Sequence, residues 1–112
     1  MLKRIWCGWS TPANADAYED LLRAAIFPGI EARNIAGFLS IELLRRPIDG
    51  DEFATIMTFA DQAAVVCFAG PMHETAVVPP AAQRLLSRYD GQAAHYELRI
   101  TGQAQAQHSG SA

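Results

Sequence analysis

His73 is the side chain whose position most suggests chemistry. It follows Gly70-Pro71 at a break between helical segments, and loops between rigid elements carry a large share of function. Trp6 and Trp9 share one strand-like run at positions of opposite parity, so they point to opposite faces of it. A flat, electron-rich ring is a good wall for an aromatic ligand, although aromatics are also ordinary core material. Met57 and Phe59, on a later strand, are further candidate walls. Arg88 and Tyr89 close what reads as the last helix, within reach of a substrate oxygen. His95 and Glu97 lie two residues apart on one face of the final strand, where they can pair with each other or serve an edge or seam.

Several chemistries are excluded at once. There is no GxxxxGK(S/T) or GxGxxG loop to cradle phosphates. There is no HExxH, and no grouping of His with Asp and Glu at metal-ligand spacing. Cys7 and Cys67 form no CxxC pair, and Cys7 has no evident activating base. No cofactor or metal is therefore expected.

The elements that must position these residues follow from periodicity. Leu2 to Trp9 reads as a strand covered on both faces, ended by Ser10-Thr11-Pro12. Tyr18, Leu21, Leu22, Ala25 and Ile26 recur at helical spacing, and Pro28-Gly29 is expected to break or kink that helix. Phe38 to Arg46 and Phe53 to Phe59 read as a hairpin around Pro47-Ile48-Asp49-Gly50-Asp51. Asp61 is a good cap for a short helix from Gln62 to Ala69, stopped by Gly70-Pro71. Met72 to Val78 is ambiguous. A helix is expected from Pro80 to Asp90-Gly91, and a last strand from Ala93 to Ile100. The order is βαββαβ, the ferredoxin-like α+β layout with a four-stranded antiparallel sheet. Residues 1–100 are expected to form the domain and residues 101–112, rich in Gly, Gln, Ala and Ser, a disordered tail.

Composition fits this reading. Half of the 112 residues are apolar and 19% are charged, with a net charge of −3. No basic stripe is present to follow a phosphate backbone, so nucleic acid is not an expected partner. No apolar run approaches the roughly 20 residues of a membrane span. The N-terminus lacks a signal-peptide pattern, and two distant cysteines suit a reduced, cytoplasmic setting. The strands are apolar on both faces, so the sheet face away from the helices needs cover, and a second copy of the chain supplies it.

The run Ile5-Trp6-Cys7-Gly8-Trp9, with Thr11-Pro12 and Asn14 to Tyr18, resembles the start of antibiotic biosynthesis monooxygenase-like domains. So do Gly37-Phe38, Met57-Thr58-Phe59, Phe68-Ala69-Gly70, and Leu86 to Asp90 with His95-Tyr96-Glu97. The resemblance spans about Leu2 to Ile100. It implies a dimeric α+β barrel: two sheets face to face, with a pocket in each subunit between the sheet and its own helices. Members include cofactor-free oxygenases that form quinones, haem degraders, and proteins without known activity.

The family often places a histidine near the position of His73. There it would act as a base, orient a phenol or quinol oxygen, or ligate haem iron. The haem degraders carry an asparagine on the first strand and a tryptophan on a later helix; the first strand here has no asparagine, and Gln62 to Ala69 has no tryptophan. The cofactor-free oxygenases place a tryptophan at the step after the third strand, where Phe59 stands here. The resemblance thus implies a cofactor-independent monooxygenase acting on a small electron-rich aromatic. His73 would be its polar contact, and Trp6, Met57, Phe59, Arg88 and Tyr89 would meet the substrate. Oxygenation without a cofactor requires the protein to deprotonate the substrate, hold it in an apolar pocket and exclude water. The alternatives are a non-catalytic barrel binding a small apolar metabolite, and a structural domain whose tryptophans fill the core.

Overall fold

A computed structural model describes residues 1–104. The tail expected from residue 101 lies, from 105 onward, outside the described residues. The elements are β1 (Leu2–Ser10), α1 (Pro12–Leu21), a π-helical turn (Leu22–Ile26), α2 (Phe27–Ala32), β2 (Phe38–Arg46), β3 (Asp51–Phe59), α3 (Gln62–Ala69), α4 (Pro80–Gln83), β4 (Leu86–Tyr89) and β5 (Ala94–Glu97). The sheet is antiparallel and five-stranded, in the order β2-β3-β1-β4, with β5 also pairing with β1. This is the α+β, ferredoxin-like arrangement read from the sequence, with one strand more than expected.

The register sorts the side chains by face. Arg4 opposes Met57, Trp6 opposes Thr55 and Gly8 opposes Phe53, and all of these point toward the helices. Ile5, Cys7 and Trp9 oppose Ile56, Ala54 and Glu52 on the other face. Two clusters fill the helix side. Tyr18, Leu22, Phe53, Ala82 and Leu86 form one; Ile35, Met57, Phe59, Val65 and Phe68 form the other. On β2 a bulge between Phe38 and Ser40 turns Leu39 outward and lets Phe38 join Ile41 and Leu43 on the helix side. Strict alternation would have placed Phe38 on the opposite face.

The helix expected to break or kink at Pro28-Gly29 runs on to Ala32. Pro28 has no N–H to give to the residue four before it, and its ring crowds that carbonyl. The chain widens into a π turn just ahead of it, in which the Phe27 N–H bonds to the Leu22 carbonyl. The helix expected from Pro80 to Asp90 is a single turn, and Arg88 and Tyr89 lie on strand β4 instead. Leu85 and Leu86 are adjacent rather than at helical spacing. Leu86 packs in the core beside Gly8, while Ser87 Oγ donates to the Trp9 carbonyl at 3.0 Å.

The β2–β3 turn requires its glycine. Asp49 and Gly50 have φ of 53° and 87°, and a Cβ on Gly50 would collide with the backbone oxygen of Ser10. Gly50→Ala should lower the urea midpoint by the equivalent of about 2 kcal/mol, more than a strain-free Gly-to-Ala change, which stabilises.

Candidate functional site

A cavity lies between the sheet and the helices. Its floor is Arg4 and Trp6 from β1, Ile41 from β2, and Thr55 and Met57 from β3. Its roof is Tyr18 of α1, Leu22 and Ile26 of the π turn, and Phe27 and Ile30 of α2. Val77, Val78 and Pro79 close one side as the loop that leads into α4. The π turn thus contributes wall residues, a common setting for such turns. The space open to the centre of a water molecule is about 70 Å³, room for roughly five waters at ~10–15 Å³ each. That is well below the roughly 300–1,000 Å³ of sites for drug-sized ligands, so a ligand fitting this shape is about the size of a single ring.

Arg4 is the polar centre of the site, and its position was not legible in the Lys3-Arg4 pair. The residue is 4% exposed. It donates from Nη1 to the His73 carbonyl and, at 2.9 Å, to His95 Nε2, and from Nη2 to the Thr75 carbonyl at 3.1 Å. Arginine only donates, so His95 Nε2 is the accepting nitrogen and its proton sits on Nδ1. The guanidinium carbon is 5.5 Å from the centre of the Phe68 ring. All these partners are uncharged, and burial pulls the Arg4 pKa below its usual value. Arg4 also anchors the loop that closes the cavity, which is further tied down by a Thr75–Gln92 bridge and by the Ala76 N–H on the Gly91 carbonyl.

Two hydroxyls accompany Arg4. Tyr18 is 2% exposed and stacks 4.7 Å from Phe53. Burial pushes its phenol up to about 12, so it stays a donor across the physiological range. No fully buried polar side-chain atom among the described residues lacks a partner. The Tyr18 hydroxyl, which bonds to none of the described residues, is therefore not fully enclosed, and Tyr18 is one of the residues that line the cavity. Thr55 is a second hydroxyl-bearing side chain in the lining, on the floor. Tyr18 reads in sequence only as part of an apolar stripe; its hydroxyl was the overlooked signal.

Of the residues singled out from sequence, Trp6 and Met57 line this cavity. Trp6 Nε1 donates to the Asp90 carbonyl, and its ring lies 5.8 Å from that of Tyr89. Phe59 is fully buried in the second cluster, behind Met57 rather than on the cavity wall. Arg88 sits over the Trp9 ring at 3.7 Å and pairs with Asp49 at 3.5 Å, away from the cavity. His73 is not among the lining residues. Its ring faces the Gln62 side-chain amide at 2.9 Å, stacks edge-on to His95 at 5.4 Å, and borders a shallow groove with Pro71, Met72, Glu74, Thr75 and Gln92. His95 turns to Arg4, and Glu97 lies 4.0 Å from Arg99, so the two do not pair with each other.

Among the described residues no group of three or more His, Cys, Asp or Glu is placed to hold a metal, and no helix is long and apolar enough to cross a membrane. A haem does not fit this site. The cavity is a small fraction of a macrocycle's volume, and the His73 ring is engaged with Gln62 and His95.

Burial, then Arg4, then His73 pull the His95 pKa below its ordinary value, and Glu74 opposes them. The unfolded chain then binds more protons than the folded one just below the ordinary histidine value of about 6.5. Stability should therefore fall as pH drops through that range. Urea titrations at pH 7.5 and pH 5 should show the loss, and His95→Gln, which keeps an acceptor for Arg4, should reduce it.

No family model matches the chain, and no curated protein matches it in sequence. Solved structures do. A structure described as an antibiotic biosynthesis monooxygenase superposes with a TM-score of 0.63 at 23% identity, over 89% of this chain and 100% of that one. A mutant form of SnoaB, a cofactor-independent oxygenase from Streptomyces nogalater, gives 0.61 at 18% identity, over 89% and 94%. A protein from Pseudomonas aeruginosa gives 0.55 at 25% identity, over 88% and 94%. With its β2-β3-β1-β4 sheet and a cavity roofed by its own helices, the chain has the fold of the antibiotic biosynthesis monooxygenase-like proteins.

Proposed function

We propose that this chain is a cofactor-independent monooxygenase that oxidises a small phenol or related electron-rich aromatic to a quinone. The observation that supports the reading is the cavity: aromatic and aliphatic walls with Arg4, Tyr18 and Thr55 among the lining residues. An enzyme needs two or three such convergent polar groups, whereas a simple binder manages with one. The reaction balances with the substrate as sole reductant. Phenol and dioxygen give quinone and water; one oxygen atom enters the ring and the other leaves as water. The walls would hold the ring and exclude water, and the Tyr18 hydroxyl would donate to a substrate oxygen. His73 keeps a place in the proposal only through its backbone carbonyl, which accepts from Arg4. A panel of single-ring phenols and quinols, incubated with and without air, should give quinone only aerobically. Identical products in both, with binding demonstrated, would sink the oxygenase reading and favour a metabolite-binding barrel.

Tyr18→Phe keeps the ring against Phe53 and removes only the hydroxyl. Turnover should drop roughly tenfold or more, at the lower end of a positioned proton donor's contribution, while the thermal midpoint stays within a few degrees.

We also propose that two copies pack sheet to sheet. The face away from the helices has Ile5, Cys7, Ala54 and Ile56 at its centre and Leu44 beside them, 52% exposed. An apolar sheet face of this kind is a strong candidate for protein contact. Leu44→Asp changes an exposed side chain and should leave the subunit folded, yet convert dimer to monomer in sedimentation. An unchanged dimer would place the seam elsewhere.

A further inference from the structure

We infer that Arg4 makes this cavity selective for an anion: a flat, apolar ring carrying one ionised oxygen group, either a phenolate or a carboxylate. This deepens the monooxygenase reading and rests on its cavity. The argument is one of charge balance. The guanidinium is nine-tenths buried, and no carboxylate lies within ion-pair distance of it among the described residues. Its partners are the His73 and Thr75 carbonyls and the His95 ring nitrogen, all neutral.

A buried cation without a counter-ion is costly, and an anion entering the cavity would relieve it. Arg45 pairs with Asp16, Glu19 and Asp51, Arg23 with Glu19 and Asp20, and Arg46 with Glu52; Arg33 also meets only carbonyls, those of Cys67 and Phe68, but it is exposed, whereas Arg4 is buried. Arg4 lies on the wall of the cavity between the sheet and the helices, whose other lining residues, Tyr18 and Thr55 apart, are apolar or aromatic. The depressed pKa of Arg4 agrees with an unrelieved buried charge. The Tyr18 hydroxyl on the roof can donate to the same oxygen. A phenol bound there would ionise more readily, so the positive charge, rather than a side-chain base, would favour the electron-rich form of the substrate.

Calorimetry on the full chain tests this with benzoate against nitrobenzene, its neutral near-isostere, and with 4-nitrophenol, whose ionisation is visible. Benzoate should bind at least about tenfold tighter than nitrobenzene, the factor expected for a charge-assisted contact. Bound 4-nitrophenol should turn yellow at least one pH unit lower than free. Arg4→Met should erase both effects and Arg4→Lys should keep part of them. A shift in 4-nitrophenol without a benzoate preference assigns the subsite to phenolates; the reverse assigns it to carboxylates. Equal affinity for the neutral and anionic probes overturns the inference and leaves the cavity intact as a site, as does an anion preference that survives in Arg4→Met. If no probe binds, the cavity reading falls with it. If Arg4→Met does not fold, the wild-type ratio and Arg4→Lys still decide.

Discussion

Phe53→Ala should lose about 3–5 kcal/mol of stability, visible as a large drop in the urea midpoint. Phe53 has no exposed surface, lies against Tyr18 at 4.7 Å, and sits under the Arg45 guanidinium at 5.5 Å. Its removal would leave a void between β3 and α1 that neither element can close, because β3 is hydrogen-bonded on both sides. Such a loss is a large part of the roughly 5–15 kcal/mol that holds a domain together. A drop under 1 kcal/mol would mean that this cluster is looser than its packing implies.

Ala82→Leu tests the cavity rather than the core. Ala82 is buried on α4 and forms part of the cavity wall. Three added carbons would project into a space of about 70 Å³, taking room from a single-ring ligand. Catalytic efficiency on any accepted phenol should fall about 100-fold, the scale of a misplaced substrate. Stability should change little, because the new atoms fill a void instead of overpacking a filled core. Unaltered turnover with the protein folded would show that chemistry happens outside this cavity.

Much of the scaffold was legible because short-range signals agreed. The apolar strand-like runs from Leu2 to Trp9 and from Phe53 to Phe59, the Asp49-Gly50 turn and the Asp61 cap each act over a few residues, and Asp61 does accept from the Ala64 N–H at 2.9 Å. The π turn and the β4–β5 split were hidden. The first depends on relieving Pro28 inside a packed helix, and the second on Gly8 making room for Leu86.

The site was harder still. Lys3-Arg4 reads as a surface pair, yet Arg4 shares parity with Trp6 and Ser10, the two residues that mark the helix-facing side of β1. Parity was the available signal. What parity cannot show is that His73, Thr75 and His95, some 70 to 90 residues away in the chain, would supply the neutral acceptors that let a guanidinium stay buried. His73 drew attention as a loop histidine; its backbone carbonyl, which no side-chain pattern reports, is what touches the site.

The central claim is that the Arg4–Tyr18–Thr55 cavity directs dioxygen onto a bound aromatic. Incubation with a bound single-ring phenol under ¹⁸O-labelled dioxygen tests it most directly. The quinone should carry one heavy oxygen, with the second recovered in water, and that product should be lost in Ala82→Leu. Unlabelled product, or none despite demonstrated binding, would contradict it.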